Sequence, residues 1–295
     1  MSPVSHDSQM GVVRNVRALR TRIAAWRAKG LAVGFVPTMG ALHEGHISLV
    51  KTACNLADRA VASIFVNPRQ FAAHEDLATY PRNEAADLER LQAAGCHLAY
   101  LPSPEEMYPP GFETSVTPGP LGRALEGEAR PHFFGGVATV VCKLFNQVRP
   151  DIAVFGEKDY QQLLVVRQMV RDLDMPVEIV GAPIVREPDG LAMSSRNAYL
   201  SVDERKIAGR LNGALRAAAE RLAQGAPVAE AMEEARAALR EAGFDGIDYV
   251  ETRAAADLSP LEPGPLAPGA RARVLAAVRI GRTRLIDNWP AERKS

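Results

Sequence analysis

From about residue 30 to residue 180 the chain alternates short, unbroken apolar runs with longer stretches whose apolar positions recur every three to four residues. An unbroken run suits a strand covered on both faces, and the longer period suits an amphipathic helix. The short runs predict strands at 32–36, 61–66, 97–101, 152–155 and 177–180. Helices are predicted between them at 13–29, 45–57, 84–94, 137–147 and 160–173, after a ragged first dozen residues. Strand and helix in alternation specify an α/β domain built on a parallel sheet. Prolines 102, 104, 109 and 110 and the Gly/Pro-rich stretch 118–131 interrupt the alternation with a long excursion of the functional or mobile kind. Beyond Ser201 the texture turns to Ala/Glu/Arg helices at 202–224 and 228–242, with strands at 247–251, 273–280 and 283–286. The expected organisation is therefore a larger domain over 1–183 and a smaller α+β domain over 184–295, parted within 181–186.

Composition narrows the function class. Lys plus Arg number 35 and Asp plus Glu number 35, for a formal net charge of zero. That removes the electrostatic footprint of a nucleic-acid binder and means that any phosphate is bound locally. Three widely spaced cysteines, Cys54, Cys96 and Cys142, fit neither a disulfide framework nor a zinc site and read as reduced thiols. No stretch approaches the roughly 18 apolar residues of a membrane span, and the polar start has no export signal, so the expectation is a cytoplasmic protein without a membrane partner.

Open α/β sheets bind ligands at the carboxyl ends of their strands, and the polar residues gather there. The first predicted strand leads into Pro37-Thr38-Met39-Gly40-Ala41-Leu42-His43-Glu44-Gly45-His46. Two histidines three apart share one face of a first helical turn, at the positive end of the helix dipole, and imidazole N–H groups suit charge developing on a transferring phosphoryl group. Gly45 leaves room for a base or ribose against the backbone. A metal pair would favour a spacing of four and a third ligand. The second strand leads into Asn67-Pro68-Arg69-Gln70, whose amides suit hydroxyl and carboxylate groups. The fourth leads into Gly156-Glu157-Lys158-Asp159-Tyr160-Gln161-Gln162, with Lys158 placed as a point charge for phosphate and Gln162 one turn on. Further along, Met193-Ser194-Ser195-Arg196 offers two hydroxyls and a guanidinium in a loop able to close over a triphosphate.

Together the Pro37–Gly40 run with His43 and His46, the Ser63-Ile64-Phe65-Val66-Asn67-Pro68 run with Gln70, the segment 155–162 and Met193–Arg196 strongly resemble the pantothenate synthetase (pantoate:β-alanine ligase) family. The likeness covers nearly the whole chain and is most specific over its first two-thirds. It implies a Rossmann-like nucleotidyltransferase fold in the first domain, an ATP- and pantoate-binding role for that domain, and a lid and dimer-associated role for the second. It also implies a homodimer and a two-step reaction, in which ATP with Mg²⁺ and (R)-pantoate give pantoyl adenylate before β-alanine displaces AMP. Carried over residue by residue, Met39, Gly40, Ala41, Leu42, His43, Glu44, Gly45 and His46 would bind ATP, with His43, His46 and Lys158 catalytic. Gly156, Glu157, Lys158, Asp159, the backbone at Val185, Met193, Ser194, Ser195 and Arg196 would complete the ATP cradle. Gln70 and Gln162 would hold pantoate, and Gln70 would also meet β-alanine.

Two features depart from or fall outside the pattern. The family usually reads Arg-Pro-x-His-Phe-x-Gly-Val after the excursion, whereas here Arg130-Pro131-His132-Phe133-Phe134-Gly135-Gly136-Val137 sets the histidine one place early. Asp87 reads equally as an acid near a metal or as a helix-surface carboxylate, and no metal ligand is assigned. The alternatives to the ligase are an adenylyl transferase acting on a phosphorylated acceptor and a non-catalytic nucleotide- or tRNA-associated module. The amide-rich set Asn67, Gln70 and Gln162 favours a hydroxy acid over a phosphorylated acceptor, and zero net charge disfavours tRNA.

Overall fold

A computed structural model describes residues 9–72 and 75–294, so the first eight positions of the ragged start lie outside it. The chain divides into two compact units, one of residues 1–157 with 165–183 and one of 158–164 with 184–295.

The first unit opens on β1 (Gly11–Val13), α1 (Val16–Arg27) and β2 (Val33–Thr38), followed by α2 (Glu44–Leu56), β3 (Arg59–Ile64), α3 (Glu84–Ala93) and β4 (Leu98–Tyr100). The excursion carries α4 (Pro104–Met107) and α5 (Glu126–Ala129), and α6 (Phe133–Val148) leads to β5 (Ile152–Gly156). Then come α7 (Tyr160–Asp172), whose first turn falls in the second unit, and β6 (Glu178–Ala182). The six strands form one sheet in the order β1-β4-β3-β2-β5-β6, with every neighbouring pair parallel. From β2 the chain runs outward to β3 and β4, then returns to the other side of β2 as β5. The strand order therefore reverses between β2 and β5, the kind of position at which open α/β sheets bind ligands. One face of the sheet packs Val36, Ala62 and Val154 against Val50, Ala53 and Leu91. Beyond that, Phe145 of α6 meets the rings of Phe35 and Phe155 edge-on, both at 6.3 Å.

Two details of the first unit differ from the sequence expectation. Val13 is the end of an edge strand instead of a helix start, because Asn15 caps α1 by accepting a hydrogen bond from the Ala18 N–H at 2.9 Å. Three residues paired only with β4 carry too little periodicity to announce themselves. The helix expected from Val137 starts at Phe133, with Gly135 and Gly136 inside it. A Cβ at Gly136 would run into the Arg69 carbonyl, so the glycine there serves close packing of the helix on the 68–70 turn.

In the second unit a capping box, Ser201 Oγ accepting from Glu204 N–H and Glu204 Oε2 from Ser201 N–H, starts α8 (Val202–Ala208). The single helix expected over 202–224 is broken at Gly209 into α8 and α9 (Arg210–Ala223), and α10 (Val228–Ala242) follows. These pack on an antiparallel sheet of β7 (Gly246–Ala254), β8 (Arg271–Ile280) and β9 (Thr283–Glu292), in that spatial order, around Leu211, Leu215, Leu222, Leu239, Val274 and Val278. β9 runs past the expected end at residue 286 and through Pro290, which an edge strand tolerates because one side of its ladder needs no donor. β7 carries a register irregularity between Ile247 and Tyr249. All three cysteines are free, and burial pushes the Cys96 thiol up to about 12. Among the described residues no helix is long and apolar enough to cross a membrane.

Candidate active site

In the first unit β2 ends at Thr38, whose hydroxyl donates to the Ser63 carbonyl at 2.7 Å and accepts from the Gly40 N–H at 3.3 Å. The chain then turns through two left-handed residues, Gly40 at φ 82° and Ala41 at φ 49°. There two consecutive N–H groups share one acceptor: Asp87 of α3 accepts from Ala41 N–H at 2.9 Å and Leu42 N–H at 2.8 Å. Asp87 is 3% exposed, so it is neither the surface carboxylate nor an open metal ligand that its sequence position allowed. A Cβ at Gly40 would come within 2.9 Å of its Oδ2, which explains a glycine at that position beyond its φ.

His43 caps α2 and His46 stands at the third helical position. His43 Nδ1 accepts from Gly45 N–H at 3.2 Å, and His46 Nδ1 accepts from His43 N–H at 3.4 Å, with the two rings 4.1 Å apart. A neutral imidazole that accepts at Nδ1 carries its proton on Nε2, so this reciprocal cap sets both tautomers. The backbone N–H groups of Gly40, Ala41, Leu42, His43 and Gly45 are all engaged by side chains of the protein itself. The turn thus carries two half-buried imidazoles in place of the bare helix N-terminus that its position suggests. Glu44 is exposed and pairs with Arg90 at 3.7 Å. Gly156 ends β5, the sheet neighbour of β2, and Glu157 follows it.

The amide turn lies in the same unit. Gln70, 8% exposed, donates from Nε2 to Met39 Sδ at 3.0 Å and accepts at Oε1 from Asn67 Nδ2 at 3.0 Å. Asn67, 1% exposed, also donates to the Gly136 carbonyl and accepts from Tyr108 Oη at 2.8 Å, which ties the excursion to the turn. Arg130 supplies a second tie: its Nη2 donates to the Gln70 carbonyl at 3.1 Å while its guanidinium makes two hydrogen bonds to the Glu75 carboxylate at 2.6 and 2.8 Å. The Phe133 ring lies 3.9 Å from the Arg130 guanidinium, a cation–π contact. His132 is exposed and makes no capping hydrogen bond at the start of α6. The displaced histidine therefore leaves a phenylalanine that backs Arg130.

The remaining predicted residues belong to the second unit. Lys158 pairs with Asp159 at 3.8 Å, and its carbonyl accepts from Asn288 Nδ2 at 2.9 Å. Tyr160 donates to the Ala255 carbonyl at 2.8 Å and lies beneath the Arg273 guanidinium, while Gln162 follows on α7. The 185–193 segment is a hairpin: Met193 N–H donates to the Val185 carbonyl at 3.0 Å, and Glu187 and Gly190 form its turn. Ser194 then caps the short helical turn Ser195–Tyr199 by accepting from Arg196 N–H at 3.3 Å. Arg186, beside Val185, makes a bidentate pair with Asp287 at 2.7 and 3.0 Å. Asp287, Asn288 and Arg186 are missing from the sequence reading, since partners 101 to 130 residues apart leave no local pattern.

Among the described residues no group of three or more His, Cys, Asp or Glu side chains is arranged to hold a metal. Both Asp87 oxygens accept from backbone N–H groups, so the described residues offer no ready-made cage for Mg²⁺ there.

A profile of the Pantoate-beta-alanine ligase family matches residues 11–290. A pantothenate synthetase of Caulobacter vibrioides is 58% identical over 277 residues, covering 94% of this chain and 97% of that protein. A Thermus thermophilus pantothenate synthetase of known structure is 49% identical, covers 95% of this chain and 99% of its own, and superposes with a TM-score of 0.87. The Francisella tularensis pantoate–β-alanine ligase, solved with β,γ-ATP and β-alanine, is 33% identical over 95% of this chain and 97% of its own, with a TM-score of 0.79. The chain belongs to the pantoate–β-alanine ligase family.

Proposed function

We propose that the protein joins (R)-pantoate to β-alanine at the expense of ATP, giving pantothenate, AMP and pyrophosphate through a pantoyl-adenylate intermediate. The family match over residues 11–290 carries this function. A relative solved with β,γ-ATP and β-alanine supports two of the three substrates.

In the first step a pantoate carboxylate oxygen attacks the α-phosphorus, the bond from that phosphorus to the β-phosphate bridging oxygen breaks, and pyrophosphate leaves. His43 and His46, each with its proton fixed on Nε2, donate to phosphate oxygens as charge develops there. Lys158 and Arg196 add positive charge, Ser194 and Ser195 add hydroxyl donors, and the Met39–His46 run, Gly156–Asp159 and the Val185 backbone complete the ATP cradle. Mg²⁺ enters with the triphosphate as part of the substrate. Gln70 and Gln162 orient pantoate, and the Asn67 and Met39 contacts that fix the Gln70 amide leave it little freedom to reorient. In the second step the β-alanine nitrogen attacks the acyl carbon, the acyl–oxygen bond to AMP breaks, and the amine gives up a proton. Gln70 also meets β-alanine. The mixed anhydride hydrolyses if water reaches it, so the site must exclude solvent between the two steps.

The proposal extends to a cytoplasmic homodimer with no nucleic-acid partner, on the family resemblance and zero net charge, and sedimentation reads the oligomeric state directly. The function is tested by AMP release from ATP, Mg²⁺ and pantoate. Release that accelerates on adding β-alanine, with pantothenate as product, is the expected result. Release that ignores β-alanine, or a product that keeps the adenylate, overturns it.

A further inference from the structure

Two segments of the second unit that the ligase function assigns to ATP, Lys158 with its neighbours and the 185–196 hairpin, are both held by one pair of consecutive residues on β9. Asp287 and Asn288 are 2% and 1% exposed. Asp287 grips Arg186 by two hydrogen bonds of 2.7 and 3.0 Å, and Arg186 donates in turn to the Gly190 carbonyl at 3.1 Å, so the hairpin is fixed at its base and at its turn. Asn288 donates to the Lys158 carbonyl at 2.9 Å. Trp289 extends the set by donating to Asn212 at 2.7 Å beneath the Arg186 guanidinium. A carboxylate buried this deeply is costly unless paired, which commits Arg186 to it. An amide bound to a carbonyl fixes the backbone from which the Lys158 side chain springs.

We propose that Asp287 and Asn288 are positioning residues that set Lys158 and the 185–196 hairpin in register with each other for triphosphate binding and adenylate formation. The proposal rests on the ligase function and deepens it. A tether of this kind acts on the ATP-dependent half of the reaction and leaves the amine-dependent half alone.

The test uses the full chain and separates the halves. Pyrophosphate release in a single turnover with ATP, Mg²⁺ and pantoate reads adenylate formation, and a β-alanine chase of preformed enzyme-bound adenylate reads the second step. Asn288→Ala is expected to slow the first about tenfold and raise the KM for ATP, as loss of one buried hydrogen bond would. The chase rate and the KM for β-alanine should stay at the wild-type value. In a Lys158→Ala background Asn288→Ala should add no further loss, because it acts through Lys158. Asp287→Asn should raise the KM for ATP through the hairpin, and if that variant does not fold, Asn288→Ala decides alone. Equal losses in both halves at unchanged KM for ATP mean a merely structural role and overturn the proposal, as does a full additional loss in the Lys158→Ala background. A wild-type protein that releases no pyrophosphate with pantoate overturns the ligase function itself, a result distinct from a defect confined to the variants.

Discussion

In the first unit several polar groups at the strand ends are held by residues close to them in sequence. His43 and His46 cap each other across three positions, Gln70 is held by Asn67, and Thr38 receives the Gly40 N–H. In the second unit the corresponding groups are held across the whole length of the domain. Arg186 reaches Asp287 across 101 residues, and the Lys158 carbonyl receives Asn288 across 130. The charges differ as well. The first unit carries imidazoles and amides fixed by turn geometry, whereas in the second the Arg186 guanidinium is fixed by a buried carboxylate and the Lys158 backbone by a buried amide. Neutral donors at a turn are set once the turn forms, but a long cation needs a partner to choose its direction.

The sharpest test separates cap from chemistry in the first unit. His46→Asn keeps an acceptor where the imidazole Nδ1 now stands and removes the Nε2 donor. The expected outcome is a loss of about 10²–10⁴ in the rate of adenylate formation with a melting temperature close to wild type. A variant of near-normal rate would break the assignment of the histidines to chemistry, and a large fall in melting temperature would mean that the pair is chiefly a cap.

Asp87 is a long-range hold in the first unit, reaching back 45 and 46 positions to the left-handed turn. Asp87→Ala leaves two partly buried N–H groups without their acceptor and is expected to cost about 2–4 kcal/mol of folding stability. The KM for ATP should rise alongside it. Denaturant unfolding gives the first quantity and steady-state kinetics the second. Loss of stability at unchanged KM would show that the turn keeps its shape without its anchor.

Asp248 supplies the smallest effect and a control within the second unit. Burial pushes its carboxyl up, but hydrogen bonds from Arg279 and Arg284, at 2.9 and 2.6 Å, outweigh burial and hold it below the usual value. A folded-state value below the unfolded one stabilises fully above the unfolded pKa of about 3.9 and is lost as pH falls through the folded value. Asp248→Asn should therefore cost less than about 1 kcal/mol near neutrality, with Arg279 largely exposed. That cost should fade below about pH 4. ATP kinetics should not change, which would set an ordinary ion pair of this unit apart from Asp287 and Asn288.

What the sequence revealed follows the same division. The histidine pair, the Asn67–Gln70 turn and the Gly156–Gln162 segment were legible because their spacing is local and each follows a strand. Five of the six strands of the parallel sheet were legible as apolar runs, four of them because a doubly buried strand writes itself that way, while β6 at an edge is only partly buried. β1 was not, being three residues long at an edge. The start of α6 lies before Gly135 and Gly136, poor helix formers whose place in it is explained by the Arg69 backbone, which requires Gly136 to be small. Asp87 stood between two readings because its partners are backbone N–H groups, which carry no side-chain signature. Asp287, Asn288 and Arg186 were beyond local pattern altogether.

The outer strands of the small antiparallel sheet have a consequence of another kind. Such a sheet has two rims, and an uninterrupted, uncovered rim recruits strands from other molecules. Here Pro290 removes a donor from one rim and the irregularity at Ile247/Tyr249 breaks the other. The sheet that anchors the cations is thereby shielded from edge-to-edge association, a property that bears on how concentrated the protein can become before it aggregates.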